Sequence, residues 1–199
     1  MWIINRSPIF IEWEKVIDSG LSWEQARKKF VNEFVQLESV LRSDFNSMCF
    51  FTELLETSHS STNCNIDHLK PRSKFKELEF DVENLYWSNR KWNNVVKSNH
   101  WDDFWIKVVK EPKKYLSYKI DNERKEIRII ANPKQDKDIE KTQAMIETLQ
   151  LNLFEPKGVD YKAKNGGKET LAKIRYNFYQ SYNINSFPSV FEFFQNDQK

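Results

Sequence analysis

Asn63-Cys64-Asn65-Ile66-Asp67-His68-Leu69-Lys70-Pro71-Arg72-Ser73 is the stretch on which the reading of this chain turns. It begins as a polar approach into a short extended run. Pro71 ends that run, because proline lacks a donor and pushes the residue before it away from helix. Successive side chains of an extended backbone point to opposite faces, so Asp67 and His68 can serve different partners within one compact site. A polar loop follows to Val82, and Lys70, Arg72, Lys74 and Lys76 lie in it with no acid among them. Asn84-Leu85-Tyr86-Trp87 then supplies strand-forming residues, and Ser88 or Asn89 can cap a helix from Arg90 to Lys97. The predicted order is strand, long loop, strand, helix.

Those residue types suit phosphodiester hydrolysis. A water must lose a proton, the phosphate charge must be neutralised and the departing oxygen stabilised, which asks at least for a base and a metal ion. An imidazole with an ordinary pKa of about 6.5 is largely neutral at pH 7 and can accept the proton. Asp67 with an amide oxygen from Asn93 makes the hard, oxygen-rich environment that favours Mg2+ or Mn2+ over Zn2+.

Asp67-His68-Leu69-Lys70-Pro71-Arg72-Ser73, then Asn84-Leu85, then Trp92-Asn93-Asn94 with Lys97 to Asn99, resembles the ββα-metal motif of HNH endonucleases. The resemblance implies that His68 is the general base, that Asp67 and Asn93 hold one Mg2+ or Mn2+, with Asn94 the rival to Asn93, and that Asn84 fixes the loop carrying His68. In several relatives the helix ligand is followed four positions later by another, and here that place is Lys97, read as a cation facing phosphate. Many HNH proteins also hold a structural zinc with two Cys-x-x-Cys pairs. This chain keeps only Cys49 of the first pair, and Asn89-Arg90-Lys91-Trp92 stands in the second pair's place, so zinc is not expected and Trp92 with Phe50 or Phe51 fills the volume.

The likeness reaches beyond the motif. The opening Met1-Trp2-Ile3-Ile4-Asn5-Arg6-Ser7-Pro8, a helical arm before Cys49, and a late Thr142 to Asn152 segment followed by an Arg175-bearing helix are similar to PtuB, the HNH component of Septu and certain retron-linked anti-phage systems. That resemblance implies a partner ATPase of the PtuA type and a role in phage defence.

Working outward, Trp23, Ala26, Phe30, Phe34, Leu37 and Leu41 recur at helical spacing, and Ser22 with Gln25 has capping-box spacing. Tyr118-Lys119-Ile120 and Ile127-Arg128-Ile129 flank a turn-rich Asp121-Asn122-Glu123-Arg124, which predicts a hairpin. One helix is expected from about Asp138 to Gln150, and another with Leu171, Ile174, Phe178 and Tyr182 on its apolar stripe. Lys164-Asn165-Gly166-Gly167-Lys168 between them lacks the spacing of a phosphate loop and reads as a turn. The expected architecture is α+β: a ββα-metal core at 47–110 in a mainly helical single domain, with an N-terminal helical arm at 1–46 and a hairpin with helices at 111–199.

The 199 residues, 39% hydrophobic and 15% aromatic, can bury one sizeable core, and 30% charged residues with 4 Gly argue against a disordered or collagen-like chain. No apolar run approaches a membrane span, no secretory order opens the chain, and the cytoplasm is the expected compartment, where Cys49 and Cys64 stay reduced. A net charge of +2 does not announce a nucleic-acid binder, so phosphate contact must come from local clusters. The candidates are Lys70, Arg72, Lys74, Lys97 and His100. His59 sits in a Ser/Thr-rich loop and reads as solvated, and among Trp87, Trp92, Trp101 and Trp105 only Trp101 is a candidate for stacking on a base. DNA is the expected substrate, with RNA the alternative. A binding module that cuts nothing and a nuclease toxin of the colicin type are the competing readings.

Overall fold

The chain is described from a computed structural model over residues 12–56, 63–153, 170–181 and 188–196. It is mixed α+β, with two small antiparallel sheets and helices around them among the described residues. The opening at 1–8, His59, the Gly166-Gly167 turn and Tyr182 lie outside the described residues.

The N-terminal arm folds as α1 (Trp13–Ile17), α2 (Trp23–Lys29) and α3 (Val31–Asp44). The single periodic stripe from Trp23 to Leu41 is thus broken at Phe30, whose φ of −108° and ψ of 53° leave the helical region. Packing explains the break. Eleven residues of unbroken helix would separate Trp23 from Phe34 by about 16 Å along the axis, whereas their rings meet edge-on at 4.9 Å. Trp13 and Phe80 complete this aromatic cluster. Gln25 accepts a hydrogen bond from the Ser22 backbone N–H at 3.1 Å, as the capping-box spacing requires.

The first sheet pairs β1 (Cys64–His68) with β2 (Leu85–Asn89), with Asp67 opposite Tyr86 and His68 opposite Leu85. One further bond, Leu69 N–H to the Asn84 carbonyl at 2.8 Å, closes the base of the intervening loop. The Asn89 side chain accepts from Trp92 N–H at 2.9 Å and starts α4 (Arg90–Trp92), which runs into a π-helical turn over Asn93–Lys97. The turn at residues 49–54 is tied to this sheet by Phe50 N–H to the Trp87 carbonyl at 2.9 Å. There Trp92 stacks on Phe51, centroids 4.4 Å apart, and its indole N–H donates to the Leu149 carbonyl at 2.9 Å. Cys49 is buried and Cys64 half-buried, and no disulfide joins the two.

Beyond α5 (Phe104–Lys110) and α6 (Pro112–Tyr115), the expected hairpin forms as β3 (Leu116–Asp121) and β4 (Glu126–Ala131), followed by α7 (Ile139–Thr148), α8 (Leu171–Gln180) and α9 (Pro188–Asn196). Two buried polar clusters tie these parts together. Asn152 bonds both the N–H and the carbonyl of Ile129 at 2.7 Å each, while Arg175 donates to the Leu151 carbonyl at 2.6 Å. Ser189 of α9 donates to the Glu53 carboxylate at 2.5 Å and meets the Tyr118 hydroxyl at 2.6 Å, so the C-terminal helix is anchored to the turn beneath β2. No helix among the described residues is long and apolar enough to cross a membrane.

Candidate active site

The end of β1 and the start of the π turn converge on one open pocket of about 480 Å³. Its walls include Asp67, His68, Arg72, Asn93, Asn94 and Lys97, so six of the residues singled out from sequence share one cavity. Asn84, Lys70, Lys74 and His100 lie off its walls. The third wall comes from α2, through Trp23, Glu24 and Arg27.

His68 is 7% exposed, with the Trp23 ring edge-on at 4.6 Å. Its Nε2 lies 2.9 Å from the Glu79 carbonyl oxygen. A carbonyl only accepts, so Nε2 carries the proton and Nδ1 holds the free lone pair. Burial is the largest influence on the ring and pushes its pKa down to about 4, against the opposing pull of the Glu79 carbonyl. His68 is therefore a neutral imidazole of fixed tautomer at pH 7.

Asp67 is 5% exposed and lies against Lys97, whose Nζ is 3.1 Å from Oδ1 and 2.6 Å from the His68 carbonyl. Burial raises the Asp67 pKa, and the Lys97 ammonium and the nearby Asn93 amide oppose that rise. Lys97, expected to face phosphate, instead turns inward and is 1% exposed. The cause is the π turn: Ser98 N–H closes on the Asn93 carbonyl at 2.7 Å, five residues back, and this rotates Lys97 under β1. Asn93 is half-buried beside Asp67, and Asn94 is exposed on the outer wall.

The loop between β1 and β2 is stapled by Asn84. Its Oδ1 accepts from Lys70 N–H at 2.7 Å, and its Nδ2 donates to the Lys70 and Leu78 carbonyls at 3.1 and 3.2 Å. Arg72 is pinned at the pocket mouth by Glu24, whose carboxyl it holds below the usual range, and by Glu79 at 3.5 Å. Lys70 lies over the Phe75 and Trp101 rings at 5.0 and 5.7 Å, while Lys74 and His100 are exposed. Trp87, Trp92 and Trp105 are buried, and Trp101 is half-buried against Phe75 and Trp105.

Four contributors escaped the sequence reading: Glu79, Trp23, Glu24 and Asn65. Glu79 had one signal, being a carboxylate just past the basic run; it fixes His68 through its carbonyl and Trp23 N–H through its carboxylate at 3.3 Å. Trp23 and Glu24 carried none, because a helix far upstream gives no hint of which loop it covers.

Whether these residues suit a divalent cation can be read from their oxygens. Asp67 Oδ2 and Asn65 Oδ1 are buried with no hydrogen-bond partner, both on residues that line the pocket, and orphaned oxygens of this kind call for a cation or water. Asn93 adds an amide beside Asp67. The donors at hand are one carboxylate and two amides, and no cluster of three His, Cys, Asp or Glu side chains that could hold a metal ion occurs among the described residues. One Mg2+ or Mn2+ would have to take much of its shell from water there, and Lys97 competes for the same carboxylate. A scan against protein-family models finds no match, and neither does a search of curated proteins.

Proposed function

We propose that this chain is a metal-dependent HNH-type endonuclease that hydrolyses DNA phosphodiesters with His68 as general base. The observation that carries the reading is the Nε2 to Glu79 carbonyl contact at 2.9 Å, which leaves Nδ1 of a neutral ring to take a proton from water. Asp67, Asn93 and, through its orphaned oxygen, Asn65 would hold one Mg2+ or Mn2+; when bound, that ion supplies charge stabilisation at the phosphate and the departing oxygen. Asn84 keeps the loop after His68 in shape, and Arg72 at the mouth offers a guanidinium to a phosphate once Glu24 lets go. The resemblance to PtuB supports a role as the effector of an anti-phage system with an ATPase partner.

A second reading has its own observation. The buried Lys97–Asp67 pair, at 3.1 Å, neutralises the carboxylate that a metal would need, and so favours a module that binds nucleic acid or a partner without cutting. Cleavage of supercoiled plasmid with Mg2+ or Mn2+, run beside His68→Ala, separates the two. Metal-dependent nicking that His68→Ala lowers at least about a hundredfold supports the nuclease; equal cutting by both proteins removes His68 from the mechanism. Binding without cutting under any divalent ion favours the module.

A further inference from the structure

Lys97 has an unusual position for a lysine: 1% exposed, with Nζ at 3.1 Å from Asp67 Oδ1 and 2.6 Å from the His68 carbonyl. An ammonium is strongly hydrated and is placed in such a site only against acceptors that replace its water. Here one acceptor is the carboxylate whose other oxygen, Oδ2, has no partner. A divalent ion arriving at Oδ2 would share one carboxylate with a full positive charge across its width, and two cations at that distance repel. The ammonium has somewhere to go. Lys97 lines the pocket, its stem has four rotatable carbons, and the helix ends at Ser98, whose φ of +45° terminates the π turn directly after it.

We propose that Lys97 is an exchangeable internal cation: it neutralises Asp67 while no divalent ion is present, and when one binds it swings into the pocket to meet the substrate phosphate. This rests on the nuclease reading for the identity of the phosphate, while the exchange itself concerns only this chain and the ion. In the metal-free state the Lys97–Asp67 contact occupies Oδ1 and keeps the buried charge balanced. In the loaded state the same ammonium becomes the phosphate-facing cation that the primary structure led one to expect at this position.

The test uses the full chain and Mn2+ alone, with free Mn2+ counted by electron paramagnetic resonance. Lys97→Met and Lys97→Gln, the second of which keeps a donor for Asp67 and the His68 carbonyl, are expected to bind Mn2+ at least tenfold more tightly than the unaltered protein, and Asp67→Asn/Lys97→Met is expected to lose that binding. In the unaltered protein, acetylation of Lys97 followed by peptide mass mapping is expected to be slow without Mn2+ and at least tenfold faster at saturation. Variants that fold only when Mn2+ is added also support the exchange. Equal Mn2+ affinity with and without Lys97 overturns it, as does a Lys97 that stays protected at saturating Mn2+; should the variants fail to fold at all, the acetylation result decides. A protein that exchanges Lys97 for Mn2+ yet cuts nothing leaves this inference standing and removes the nuclease reading. One that cuts with Mn2+ while its Lys97 variants bind the ion unchanged does the reverse.

Discussion

His68 owes its candidacy as a base to burial as much as to its neighbours. With a pKa near 4 in the fold against about 6.5 when unfolded, the neutral ring is the favoured form in the folded chain. The linkage follows in sign: this stabilisation is complete above pH 6.5, and it is lost as pH falls from there towards 4, amounting to at most about 3 kcal/mol. Thermal unfolding at pH 7.5 and pH 4.5 should therefore show a larger drop in Tm for the unaltered protein than for His68→Gln; equal drops would mean that the ring is solvated. The same low pKa places the acidic limb of kcat/KM, measured on the proposed nuclease, well below 6.5. Asn84→Ala removes three hydrogen bonds and strands the Lys70 N–H, so chemical denaturation should read a loss of about 2–3 kcal/mol. A loss within 0.5 kcal/mol of zero, on the order expected of a bland surface site, would show that the loop is held by other contacts.

At the scale of elements, the sequence marked what is local and missed what is not. Pro71 after an extended Asp-His run, Asn89 as a cap and the alternation around Ile127 and Ile129 are short-range signals, and β1, β2, α4, β3 and β4 formed where they indicate. The break at Phe30 was hidden because both halves keep one apolar stripe, and only the Trp23–Phe34 contact requires it. The inward course of Lys97 was equally hidden, since a π turn differs from an α turn by one residue of hydrogen-bond register that no side chain announces. Volume, by contrast, was readable: Trp92 stacks on Phe51, one of the two partners expected for it, and fills the space beside the turn at residues 49–54. Trp92→Ala should cost about 3–5 kcal/mol, since it empties that space and frees the Leu149 carbonyl. Denaturant titration checks it, and a cost below about 1 kcal/mol, less than any large core truncation, would mean that α4 is not pinned there.

Across the whole molecule, the candidate site is a meeting of distant segments. The arm brings Trp23 and Glu24, the loop brings Glu79 and Arg72, and the π turn brings Asn93 and Lys97 to the end of β1. Net charge says little about such a place: a chain of +2 concentrates Arg27, Arg72 and Lys97 around one cavity and tempers them with Glu24 and Asp67. If nucleic acid binds there, Arg72→Ala should weaken binding uniformly across sequences and reduce the slope of log K against log salt by about 1. Glu24→Gln should strengthen binding several-fold by releasing the guanidinium; fluorescence anisotropy at several salt concentrations reads both, and unchanged slopes would move the interface elsewhere.

The most direct measurement is Mn2+-dependent cleavage of plasmid DNA by the unaltered protein and by His68→Ala, purified side by side and shown to be equally folded. The proposed chemistry predicts nicking or linearisation with Mn2+, none with chelator, and a rate at least about a hundredfold lower without the imidazole. Cutting that survives loss of His68, or a folded protein that cuts no nucleic acid with any divalent ion, would contradict it.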